Sequence, residues 1–120
     1  MSMIQEQLVA MLKASLSVKC YPMVAPADAP LPYVVYQRVA SPVANTLDGN
    51  GNPPINQTRM QIAAWDLTYP GSQQLAASVT AAMLAWSVQN VRLMDHDDYD
   101  GDRKAYRVLQ DYSIWSPPSS

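Results

Sequence analysis

Cysteine is nearly missing from this 120-residue sequence: Cys20 is the only one. That excludes an internal disulfide and any metal site built from several thiolates. A lone thiol of this kind packs as a small hydrophobe in a reducing compartment. Histidine is equally scarce, with His96 alone, so a two-histidine zinc site cannot form within one chain. The four glycines make no phosphate-cradling loop. Charged residues are 15% of the chain, against about 25% in ordinary globular proteins. The net charge is -2, and the eight Lys and Arg are scattered. Only "DRKAYR" gathers three of them, directly behind an acidic run. A dedicated nucleic-acid binder would carry a basic stripe instead. No apolar run approaches the roughly 20 residues that span a bilayer. The N-terminus has no basic region leading into an unbroken apolar core, so no signal peptide is expected. A soluble protein made in a cytoplasm is the expectation.

Apolar residues, by contrast, make up 48% of the chain. Ample apolar surface with little charge fits a protein partly covered by others, copies of itself included, and equally a compact neutral domain. The length fits one domain, 1–120, with one real core.

Along the chain, residues 3–16 read as an amphipathic helix. Ile4, Leu8, Met11, Leu12 and Ser15 or Leu16 fall on one face, and Ser2 with Gln5 sits in capping-box position. Pro22, Pro26, Pro30 and Pro32 forbid a helix next and favour an extended connection. Residues 33–39, "YVVYQRV", read as a strand apolar on both faces, inside a sheet or under a helix. Residues 58–67 alternate as a second strand, antiparallel to the first. A helix over 70–87 carries Leu75, Val79, Ala82, Met83 and Trp86 on its buried stripe, with Thr68 or Ser72 as its cap. Strands over 91–97 and 104–115 form a second hairpin around an Asp-Gly turn. Residues 116–120 read as a frayed tail. The expected fold is α+β: two helices and an antiparallel or mixed sheet of about four main strands, in the order α-β-β-α-β-β. Between the first two strands lies a long loop, 40–56, rich in Asp-Gly, Asn-Gly and Pro steps. Loops of that length are usually functional or disordered.

Candidate chemistry is thin. "DHDDYDGD", Asp95 to Asp102, could hold a divalent cation. An EF-hand register with Gly101 in the glycine position puts His96 first and Arg107 last, where an acid is needed. The plainer reading is a solvated hairpin tip. "DGNGN" mimics the start of a calcium loop, but Pro53 takes the glycine position. Asp97 and Asp98 are too local to be an opposed glycosidase pair. Cys20 and His96 lack the context of a nucleophile and its base. The Trp and Tyr side chains could stack bases, but they lack basic neighbours. No catalytic, metal or cofactor residue is assigned, and an enzyme is not expected.

The phrases "YPMVAPADAPLPYVVYQRV", "LDGNGN", "TRMQIAAWDLTYPGSQQLAASVTAAM" and "YRVLQDYSIW" occur in this order. The chain thereby resembles the small tail-completion or tail-terminator proteins of long-tailed phages and prophages, over roughly Met3 to Trp115. The resemblance implies a structural protein of the virion tail, placed at its head-proximal end and assembled in the host cytoplasm. It implies a homo-oligomeric ring, a hexamer, that contacts the tail tube protein and the head connector. Nucleic acid and membrane are not among the implied partners. The loop tip, Thr46, Leu47, Asp48, Gly49, Asn50, Gly51, Asn52, Pro53 and Pro54, is then the expected interaction segment, since loops carry function when a rigid scaffold positions them. Two other readings stay open: a ferredoxin-like module binding a ligand or nucleic acid, and a metal-dependent enzyme using the Asp95–Asp102 cluster.

Overall fold

The computed structural model describes residues 4–40 and 56–116. Helix α1 spans Ile4–Leu16, strand β1 Lys19–Pro22, β2 Tyr33–Ala40, β3 Asn56–Asp66, helix α2 Tyr69–Ala85, β4 Gln89–Asp100 and β5 Ala105–Ser116. The fold is α+β, with two helices and one mixed sheet. The sheet has five strands rather than about four, in the order β1-β2-β3-β5-β4. The additional strand is "KCYP", inside the proline-rich stretch expected to be a plain connection. It pairs in parallel with β2, Lys19 beside Tyr33 and Pro22 beside Tyr36. Proline is tolerated there because β1 is an outer strand, where a missing N–H breaks no interior ladder. All other pairings are antiparallel.

Both helices lie on one face of the sheet. Leu8 and Leu12 of α1, Val79 and Met83 of α2, Val34 of β2, Met60 and Ile62 of β3, and Tyr112 and Ile114 of β5 form the main core. The strand alternation sends these side chains to the helix side. Leu75 and Trp86 are only half-buried at the edge of this core. Helix α2 starts at Thr68, whose Oγ1 accepts from the Gly71 amide at 3.1 Å, with Pro70 in the first turn. A Cβ at Gly71 would run into the Asp66 carboxylate and the Thr68 capping hydroxyl, so a larger residue there has to displace those side chains. The opposite sheet face is covered in part by residues 23–32, which bury Tyr33, Ala63, Trp65 and Ala105 around Ala25. The described molecule is elongated, 49 × 25 × 23 Å.

Candidate functional site

Strand β4 is the outermost strand at one side of the sheet, and β5 is its only backbone partner among the described residues. A few side chains moor it to α2. Asn90 Nδ2 donates to the Met83 carbonyl at 3.0 Å, and Arg92 Nη1 donates to Thr80 Oγ1 at 3.1 Å. Apart from these bonds and those that α2 makes to Asp97, the strand is largely exposed. Val91, Leu93 and Met94 are 45%, 50% and 42% exposed. Three large apolar residues within four positions of an open strand edge form the kind of surface that partners cover. A register shift between Arg92 and Met94 interrupts the ladder here. Such bulges re-aim side chains and discourage indiscriminate edge pairing.

The acidic run is part of β4 rather than a free hairpin tip. The turn proper is 101–104, and the strand continues through Asp100. Alternation places Asp95 and Asp97 on the helix side and Asp98 and Asp100 on the other. The acids therefore diverge instead of converging on one ion. Each is engaged locally. Asp97 accepts from the Tyr69 hydroxyl at 2.7 Å and from Gln73 Nε2 at 2.8 Å. Asp98 accepts from Arg107 Nε at 3.0 Å and from the Tyr99 amide at 2.8 Å. Asp100 Oδ1 accepts the amides of Asp102 and Arg103. Asp95 lies 3.7 Å from Arg92.

These bonds set the titration of the strand. The Tyr69 hydroxyl, and then the Gln73 amide, hold the Asp97 carboxyl below its ordinary value. The Arg107 guanidinium, and then the Tyr99 amide, do the same for Asp98. The Tyr69 phenol is raised in turn by its bond to Asp97. A carboxylate whose folded pKa is depressed contributes stability that is fully present above its unfolded pKa, about 3.9 for Asp. That contribution is lost as pH falls through the folded pKa. Stability of the chain carrying Asp97→Asn and Asp98→Asn is therefore expected to fall less steeply below about pH 4 than that of the parent. Urea unfolding at a series of pH values checks this, and parallel curves would remove these two carboxylates from the acid response.

On the opposite face, Arg103 and Arg107 both stand over the Trp65 ring, their guanidinium carbons 5.7 and 5.1 Å from its centroid. Arg103 also donates to the Ala25 carbonyl at 2.7 Å and to the Tyr33 hydroxyl at 2.8 Å. It thereby ties the β4–β5 turn to the segment that follows β1. A shallow cleft of about 180 Å³ opens beside this clamp, lined by Trp65, Gln37, Gln61 and Leu109 among others. The aromatic residues do have basic neighbours after all. The four-residue spacing of Arg103 and Arg107 in "DRKAYR" was visible in the sequence, but their convergence on Trp65 depends on the β3–β5 register, which pairs Trp65 with Arg107.

Cys20 is half-buried against the core, and burial pushes its thiol up, away from nucleophile chemistry. The expected interaction segment, Thr46 to Pro54, lies outside the described residues. No helix among the described residues is long and apolar enough to cross a membrane.

What this molecule offers is contact surface: an open apolar strand edge, carboxylates spent on local bonds, and a clamp that stiffens a hairpin. That is the equipment of a small structural subunit of a larger assembly. The comparisons with known proteins agree. The model of the family described as "Tail completion protein gp17" matches residues 6–116, and the chain belongs to that family, the structural proteins that complete a phage tail in the virion. Solved structures share its fold, among them two aligned over nearly the whole chain. A chain of the "Virion of native gene transfer agent (GTA) particle" is 17% identical with a TM-score of 0.61, covering 94% of this chain and 91% of that one. The "Structure of bacteriophage SPP1 gp17 protein" is 16% identical with a TM-score of 0.55, covering 98% and 91%. No curated protein sequence matches the chain.

Proposed function

We propose that the chain assembles into a closed ring of identical copies, a hexamer, at the head-proximal end of the tail. There it ends the tail tube and presents a surface to the head connector. The observation that carries this reading is the β4 edge, where Val91, Leu93 and Met94 stand exposed on a strand with no outer partner among the described residues. A head-to-tail contact repeated by rotation closes into a ring when the rotation fits. The reading assigns the chain no reaction: the acids of β4 act through the bonds they make to Tyr69, Gln73 and Arg107.

The segment 46–54 is proposed as the arm that reaches the tube or the connector. Strands β2 and β3 pair as far as Ala40 and Arg59, so their connection leaves the sheet at the end where β4 begins and β5 finishes. That end also carries the apolar part of the β4 edge.

Light scattering on the purified chain, alone and with tube protein, tests the ring. The expected species is six times the 13.2 kDa monomer. A monomer under both conditions sinks the proposal. A chain lacking 46–54 should keep its circular dichroism and melting behaviour, since a shorter connection still closes the hairpin. It should fail to join tubes to heads, and normal particles from it would remove the arm from the reading.

A further inference from the structure

The two open sides of the sheet are unlike, and they match each other. Following the pairings across the sheet, Lys19 of β1 lies in one row with Tyr33, Trp65, Arg107 and Asp98 of β4. Lys19 and Asp98 are thus the two ends of a single row, and strand alternation places them on the same face, the one away from the helices. Lys19 is exposed and has no ion-pair partner among the described residues.

Further along, Pro22 shares a row with Tyr36, Ile62, Gln110 and Asp95. The next row runs from Gln37 through Gln61 and Asp111 to Met94. On the β1 side that level is taken by Met23, whose amide donates to the Tyr36 carbonyl at 2.9 Å. Met23 has a left-handed φ of 67°, which ends β1 and leaves its side chain 66% exposed. So each side of the sheet carries a charge at one level and a large exposed apolar residue at another. The charges are opposite, Asp98 keeping acceptor capacity for one further donor beside Arg107 and the Tyr99 amide, and the levels coincide.

We infer that the copies in the ring meet β4 to β1, antiparallel and in the same row register, with Lys19 of one copy facing Asp98 of the next and Met23 facing Met94. This rests on the ring reading above and names its interface. The strand directions support it: β1, β2 and β5 run one way and β3 and β4 the other, so two copies in the same orientation present β4 antiparallel to β1. Continuous backbone pairing is curtailed on both sides. β1 has four residues and ends in Pro22, which lacks an N–H, and β4 is bulged next to Met94. Side chains therefore have to supply the match, and a heterologous contact of this kind repeats around a ring without leaving an open edge.

The test is a paired cysteine variant, Met23→Cys with Met94→Cys, oxidised in the assembled state. Within one copy these positions are four strand spacings apart, about 19 Å at ~4.8 Å each. That is far outside the reach of a disulfide. The double variant is expected to give a ladder of covalent multimers up to the ring number. Each single variant, which retains Cys20 as the parent does, is expected to give no ladder. Lys19→Glu should raise the concentration at which rings form by about tenfold or more, as the loss of a charge-assisted contact requires. Rings that form without the ladder, or a Lys19→Glu variant that assembles at the same concentration as the parent, would overturn this interface and leave the ring reading standing. A parent chain that stays monomeric would overturn both.

Discussion

Charged replacements at the β4 edge, Val91→Asp together with Leu93→Asp, are expected to leave a folded monomer and to eliminate joined particles. The fold should survive because both side chains are about half exposed and belong to none of the core clusters. Substitution on an exposed strand position costs at most about 1 kcal/mol of strand preference, against a total stability of roughly 5–15 kcal/mol. Assembly should not survive. In a ring every copy buries this edge, so the new carboxylates would be desolvated without a partner. An uncompensated buried charge costs about 3–5 kcal/mol, which weakens each contact by roughly a hundredfold or more. Light scattering should report a monomer with parental circular dichroism. Lysates should contain filled heads and separate tails. Normal rings from this variant would show that β4 faces solvent in the virion, and the ring would then have to rest on other surfaces.

That edge was only half legible in the sequence. The two helices, the order of the main strands and the α+β class follow from periodicity. Leu8 and Leu12 recur at helical spacing, as do Val79 and Met83, and Met60, Ile62 and Ala64 recur at strand spacing. Strand β1 escapes such reading because four residues beside prolines carry no period. It exists because β2 offers a free side, and nothing local to "KCYP" encodes that. The length of β4 is hidden for a related reason. Asp is a poor strand former, yet Asp95, Asp97, Asp98 and Asp100 are all held in the ladder by β5. Tertiary pairing overrides propensity there, and with it the picture of a loose acidic tip. The match between Lys19 and Asp98 could not be read from the sequence at all, since it is a property of four successive registers. The surfaces proposed for assembly depend on the sheet order, which no local pattern in the chain encodes.

The largest loss of stability is expected from Tyr112→Ala, and the contrast with Tyr112→Phe separates its causes. Tyr112 is 1% exposed, on the helix side of β5. Burial raises its phenol above the ordinary value, so it stays protonated and can donate. Its hydroxyl donates to Gln110 Oε1 at 2.8 Å, and Gln110 Nε2 donates in turn to Thr80 Oγ1 at 3.1 Å and to the Ala76 carbonyl at 3.3 Å. Thr80 Oγ1 also accepts from Arg92 Nη1. This network joins β5 to α2, and through Arg92 it reaches β4, whose other ties to α2 run through Asn90 and Asp97. Removing the ring leaves a cavity, at about 3–5 kcal/mol for an aromatic side chain. It also strands the Oε1 of Gln110, which is 2% exposed, at about 1–3 kcal/mol. The sum is a large share of the stability of a domain this size, so Tyr112→Ala should unfold far earlier in urea or not accumulate at all. Tyr112→Phe keeps the packing and loses only the hydroxyl, for about 1–2 kcal/mol, chiefly the unsatisfied Gln110 oxygen. Because that loss loosens the mooring of β4, hydrogen exchange along 89–97 should quicken in the Phe variant more than exchange in β2 and β3. Uniform quickening across the sheet would mean that the network contributes only to global stability and does not position the strand on which assembly depends.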